Sequence, residues 1–225
     1  MAGDISWRLE ATRATLVCGP FSTSLDALAP AFGLGSAVYE NVPLVGSHFL
    51  GVGIDVGDRA ELIDFYQRGS DVIARYVQTA DRIFAVVAYW RAGWSKIADE
   101  TFPHVDLIVS VETNLLDSSP SLEARSFYAC PPASVVRRPP GCSLARLAWP
   151  TSYLELCHPA DAIASSIEAV DDGTACTTLL FGLPLEKGVI LRSRLRGLFA
   201  SHDLDERFAA TALAQFADEA PPLTT

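Results

Sequence analysis

Hydrophobic and polar positions alternate with a period of two along much of the chain, the signature of β-strands with one buried face. Val105, Leu107, Val109 and Val111 alternate with Asp106, Ile108, Ser110 and Glu112. In the next run Leu122, Ala124, Ser126 and Tyr128 oppose Glu123, Arg125 and Phe127. Asp117, Ser118, Ser119 and Pro120 between them carry turn chemistry, so these two runs are expected to form a hairpin. A second hairpin is predicted from 71–78 and 83–91, which are rich in β-branched and aromatic residues and flank Thr79 to Arg82. The stretch 83–90 is apolar on both faces, which places it centrally.

Further strands are expected at 5–10, 14–18, 48–54, 152–157, 177–182 and 189–199. Two segments compete as helices: 24–32 reads as a short one, and 58–67 is ambiguous because Leu62, Ile63, Phe65 and Tyr66 fit neither period. A helix at the C-terminal end is better defined. Asp203 is its expected cap with Glu206 three residues on, Leu204, Phe208, Leu213 and Phe216 lie along one side, and Pro221-Pro222 stops it before a frayed tail over 221–225. The predicted fold is mainly β, an antiparallel sandwich or curved sheet with a C-terminal α-helix, with an α+β arrangement as the alternative.

Five of the 14 prolines fall between Pro131 and Pro150, so 130–150 reads as a long loop in a single β-rich domain over 1–225. A boundary near 131–150 is the alternative. With 225 residues, 49% of them hydrophobic, the chain can fill a sizeable core. Only 20% of residues are charged, which suggests a surface covered by a second copy or a protein partner, hence a homo-oligomer or a subunit.

The 17 basic residues against 27 acidic ones leave a net charge of −10, which disfavours nucleic acid and anionic membranes as partners. The longest stretch without Asp, Glu, Lys or Arg is 41–54, broken by a proline and three glycines, so no membrane span is expected. The first residues lack a signal-peptide pattern, and a cytoplasmic protein is expected. Cys18, Cys130, Cys142, Cys157 and Cys176 contain no Cys-x-x-Cys pair and read as reduced, buried small hydrophobes.

Phosphate-loop, nucleophile-elbow and zinc-helix motifs are missing, so no cofactor is expected. Gly33-Leu34-Gly35 and Gly51-Val52-Gly53 lack the third glycine of a dinucleotide fold and read as turns or close backbone approaches. His48, His104, His158 and His202 are too scattered to predict a metal site. The most suggestive cluster for acid–base work is Glu155, His158 and Asp161, where a proline turn would return the Asp161 carboxylate to the imidazole of a general base. The plainer reading makes Asp161 a turn cap and His158 a loop residue.

Basic residues are gathered unevenly. Between Gly188 and His202 there are three arginines and no acid, and Arg192, Arg194 and Arg196 would share one face of a strand. Such a ladder suits a phosphate, sulfate or carboxylate, with Arg137 and Arg138 reaching the same anion from the proline-rich segment. Ordinary solvated arginines, or arginines paired with acids on a neighbouring strand, explain it as well. Trp94, after Ala92-Gly93, reads as a loop aromatic beside the ligand. These features favour a non-catalytic binding or assembly module for a small anionic ligand or a protein. The alternative is an enzyme acting on a small sugar-like or phosphorylated substrate by general acid–base chemistry.

Overall fold

A computed structural model describes residues 3–54, 61–138 and 141–220. In chain order the strands begin with β1 (Ile5–Glu10), β2 (Arg13–Cys18), β3 (Phe21–Asp26), β4 (Leu34–Tyr39), β5 (Val42–Pro43) and β6 (His48–Gly53). They continue with β7 (Leu62–Arg68), β8 (Asp71–Tyr76), β9 (Ala85–Ile97), β10 (Glu100–Glu112), β11 (Leu122–Tyr128) and β12 (Val135–Arg138). The last are β13 (Cys142–Arg146), β14 (Ser152–Cys157), β15 (Ala162–Val170), β16 (Gly173–Leu180) and β17 (Ile190–Ala200), followed by the helix α1 (Glu206–Asp218). The protein is mainly β, as its period-two pattern predicts.

The strands form two antiparallel sheets. The first has the order β1-β2-β3-β4-β6-β11-β16-β15 with β5 beside β4, and the second β12-β13-β14-β17-β10-β9-β8-β7. Their inner faces supply the main core. Phe21, Phe49, Tyr153 and Phe199 meet across it, with ring centroids 4.1 Å apart for Phe21–Phe199 and 4.5 Å for Phe49–Tyr153. A second core lies on the outer face of the second sheet, where Ala209, Ala212 and Phe216 of α1 cover Cys142, Leu144, Leu154, Leu156 and Leu198. The molecule is therefore three layers deep over that part of the second sheet. Among the described residues, no helix is long and apolar enough to cross a membrane.

The expected pairing of 71–78 with 83–91 is present, with Asp71 opposite Arg91 and Tyr76 opposite Val86. The other expected hairpin is not formed, because β10 and β11 belong to different sheets. A long hairpin running from Ala85 to Glu112 fills one edge of β10 with β9, and β17 fills the other. That leaves β11 to pair with β6 and β16.

Four local expectations are also corrected or resolved. The segment 24–32 is the end of β3 and a 3-10 turn at Pro30–Phe32, because Phe21, Thr23 and Leu25 alternate into the core and Asp26 turns the chain by accepting from the Leu28 N–H. Leu62–Arg68 is a strand paired with β8, while positions 58–60 of the ambiguous segment lie outside the described residues. Within 130–150, expected as a long loop, β12 and β13 pair from Val135–Ala145 to Arg138–Cys142 and extend the second sheet. The helix begins later than the Asp203 cap implies: Asp205 is the N-cap, accepting from the Phe208 N–H at 2.7 Å. The expected stop at Pro221-Pro222 and the tail over 221–225 lie outside the described residues. All five cysteines are buried thiols.

Candidate functional site

The structure places the sequence-derived candidates in three separate surroundings. Glu155 points between the sheets, where Ser126 Oγ and Tyr153 OH donate to its Oε2 at 2.5 and 2.9 Å. Burial raises its carboxyl above the ordinary range, opposed by those two hydrogen bonds. His158 lies on the other side of β14, with Nε2 3.3 Å from the Ala217 carbonyl and Nδ1 accepting from the Ala160 N–H. The Asp161 carboxylate accepts from the Arg194 backbone N–H at 3.1 Å. The strand's alternation sends Glu155 inward and leaves His158 outside, so the three are not gathered around one space.

Arg192, Arg194 and Arg196 share one face of β17, as their spacing predicts, and two of them are deeply covered. Arg194 and Arg196 are 5% and 7% exposed beneath α1. Arg196 holds Asp106 through Nε and Nη2 at 2.6 and 2.9 Å, and both arginines reach Glu219 just beyond the helix. Arg192 donates from Nε to Ser110 Oγ at 3.0 Å. Arg137 and Arg138 lie on β12, the edge strand of the second sheet. Trp94 is not a loop residue: it belongs to β9, and its Nε1–H donates to the Gly3 carbonyl at 3.1 Å. Among the described residues there is no cluster of three or more His, Cys, Asp or Glu groups suited to a metal ion.

A roomier concavity with convergent polar groups lies elsewhere, on the outer face of the first sheet. This cleft of about 420 Å³ is lined by Phe32, His48, Arg125, Phe127 and Thr177, with Ala31, Ser126, Ala175 and Cys176 completing it. Its floor is β6, β11 and β16. The register of β6 against β11 jumps from Gly51–Arg125 to His48–Phe127, so Phe49 and Leu50 form a bulge opposite Ser126. Leu50 there has φ of 54°, its N–H donates to Ser126 Oγ at 3.0 Å, and its carbonyl accepts from Trp90 Nε1 at 3.0 Å. A bulge of this kind reverses which face a side chain meets, and here it turns His48 out beside Phe127.

Two glycines bring the wall onto that floor. A Cβ on Gly51 would stand 2.1 Å from the Ala31 carbonyl oxygen, and one on Gly33, at φ of 59°, 2.3 Å from the Phe49 oxygen. Only glycine allows the 3-10 turn to press so closely on β6. Phe32 is thereby held over the cleft, 59% exposed, with its ring 5.2 Å from that of His48 in an edge-on arrangement. These close approaches agree with the reading of the Gly-x-Gly pairs, and they are the one sequence signal that points here. His48, Phe32, Arg125 and Phe127 carry no motif that marks them as a site.

Burial lowers the His48 pKa, so its imidazole is neutral near pH 7. Its Nδ1 is buried and, among the described residues, has no hydrogen-bond partner. Arg125 is steadied by Glu123, whose Oε2 accepts from Nε and Nη2 at 2.8 and 2.6 Å, while the arginine side chain remains 46% exposed. The cleft therefore offers an aromatic face, a neutral imidazole and a fixed guanidinium in one small volume. That combination suits a ligand with both an apolar face and several hydroxyls.

No protein-family profile matches the chain, and no curated protein matches it in sequence. Among solved structures it is similar to an Escherichia coli K12 protein reported as a "Putative aldose 1-epimerase", with a TM-score of 0.51 and 8% identity. The match covers 88% of this chain and 99% of that one. At this identity the likeness is one of fold.

Proposed function

We propose that the protein binds a carbohydrate of monosaccharide size in the cleft over β6, β11 and β16. The observation that carries this is the convergence in one cleft of the exposed Phe32 ring, the His48 imidazole and the Arg125 guanidinium held by Glu123. A pyranose presents C–H bonds on one face and hydroxyls around its edge. The first pack on Phe32, while hydroxyls accept from Arg125 or exchange hydrogen bonds with the His48 imidazole and Thr177. The volume lies within the usual range of roughly 300 to 1,000 Å³ for ligand pockets, and the sandwich resembles that of the aldose 1-epimerase-like protein. A panel of aldoses followed by saturation-transfer NMR and calorimetry tests the reading. Binding in the millimolar range or tighter is expected, weakened about five- to tenfold in Phe32→Ala, the order of an aromatic contact of about 1 kcal/mol. No saturable binding of any aldose at roughly 10 mM would overturn it.

The lowered pKa of His48 favours a second reading, in which the bound sugar is also interconverted between anomers. The neutral imidazole takes the proton of the anomeric hydroxyl as the bond from C1 to the ring oxygen breaks, and the imidazolium returns it to that oxygen, giving the open aldehyde. Closure on the other carbonyl face reverses both transfers. Polarimetry of a freshly dissolved single anomer separates the readings. Acceleration that disappears in His48→Gln supports catalysis, whereas binding with no acceleration leaves a binding protein.

A further inference from the structure

The structure assigns a second ligand site to the outer face of the opposite sheet: a carboxylate site built on Arg194 and Arg196, which Glu219 of the same chain occupies. It is independent of the sugar cleft. Buried guanidinium groups need counter-charges, and these two are arranged so that only part of their demand is met by fixed partners. Arg196 is held from one side by the bidentate contact with Asp106 and by Ser95 Oγ, 3.2 Å from Nη1. Arg194 donates from Nη2 to the Phe216 carbonyl at 2.9 Å, and its Nε is buried without a partner among the described residues. The Phe216 ring lies against both, 4.1 Å from the Arg194 guanidinium carbon and 4.9 Å from that of Arg196. None of these contacts involves Glu219.

Glu219 fills what remains. Its Oε1 accepts from Arg196 Nη1 at 2.5 Å, and its Oε2 from Arg196 Nη2 and Arg194 Nη1 at 2.9 and 3.1 Å. Two positive groups and one fixed carboxylate, Asp106, leave a charge of +1 for it to neutralise. Unlike the arginines, Glu219 keeps its side chain 40% exposed, and it follows the last residue of α1. A cleft of about 240 Å³ opens beside it, lined by Lys96, Gln215 and His104 together with the apolar Ile97, Leu198 and Phe216. A free ligand can therefore reach the same donors. The group seen there is a carboxylate on a short aliphatic stem, and the walls suit that chemistry, with a basic end and an apolar flank. The ligand class is a small organic acid. Because Glu219 is tethered, it competes at an effective concentration of the order of millimolar or above, so the intact chain binds such acids weakly unless α1 loosens.

Thermal shifts of the full-length chain and of Glu219→Ala test this, titrated with acetate, benzoate and inorganic phosphate against chloride at equal ionic strength. Glu219→Ala should be stabilised by acetate and benzoate with half-saturation at least about tenfold lower than the wild type shows, and adding Arg194→Gln should abolish the response. Should Glu219→Ala fail to fold, the isosteric Glu219→Gln serves, with a smaller gain in the same order. The inference is overturned if the carboxylates stabilise the variant no more than chloride, or if wild type and variant respond alike. Failure of both variants to fold would overturn it too, by making Glu219 a structural counter-ion.

Discussion

Glu155 illustrates how one side chain ties the layers together at a cost. Its carboxyl is buried between the sheets and takes two hydrogen bonds, one from Ser126 of the first sheet and one from Tyr153 of its own strand. Burial places its folded pKa above the ordinary 4.5, so the folded chain binds the proton more tightly than the unfolded one. Stability is then greatest below the unfolded value and falls as pH rises from there toward the folded value, by about 1.4 kcal/mol for each pH unit that separates the two. Glu155→Gln cannot ionise and escapes that loss. Urea unfolding at about pH 4 and about pH 8 should show the stability difference moving in favour of the glutamine variant at the higher pH. Parallel pH profiles for the two proteins would show that the carboxyl is not held protonated.

At the scale of the element, α1 shows how docking selects among equivalent local signals. Asp203 and Asp205 are both good caps by residue type, and Glu206 three residues after Asp203 favours the first. Leu204 decides the matter by packing into the second core, 3% exposed, which carries the chain past Asp203 before the helix begins. Asp203 is left 3.5 Å from Arg146 on the surface, both side chains about half exposed. Asp205→Ala should therefore cost about 1 kcal/mol, and Asp203→Ala less than about 0.5 kcal/mol. Urea midpoints and helical circular dichroism of the two variants check this, and an equal loss in both would place the cap wrongly.

For the whole molecule, the separation into a sandwich core and a helix-covered core predicts an order of opening. His104 sits at the junction of α1 with the second sheet, its Nδ1 2.8 Å from Ser95 Oγ. Burial pushes its pKa down to about 4 from an ordinary 6.5, with Asp106 opposing and Arg196 reinforcing the shift. The unfolded chain binds the proton first, so this contribution is complete above 6.5 and is lost as pH falls from 6.5 toward 4. Protonation charges a site already holding two arginines, and the layer that answers is the helix. Hydrogen exchange, corrected for the intrinsic pH effect, should quicken across α1 in that interval while β10 and β14 stay protected. Simultaneous loss in helix and sandwich would mean that the three layers open as one unit.

The alternation of apolar and polar residues by itself determined most strand positions, the β8–β9 hairpin and the C-terminal helix, because each needs only a face and its immediate neighbours. It also put the three arginines on one face of β17. What covers that face was decided by tertiary structure: α1 returns over it and brings Glu219 to Arg194 and Arg196. The partners of β10 and β11 were beyond local pattern for a related reason. Val105 and Leu122 read alike as inward residues, and only the length of the β9–β10 hairpin and the return of β17 settle which edges remain free. The cleft over β6, β11 and β16 was the least legible part. His48 and Phe32 stand in ordinary sequence surroundings, and Gly33 and Gly51 signal a close approach without naming what approaches. Assembling them takes a bulge at Leu50 and contact between residues far apart along the chain, and such contacts exist only once the sheet has closed over its core.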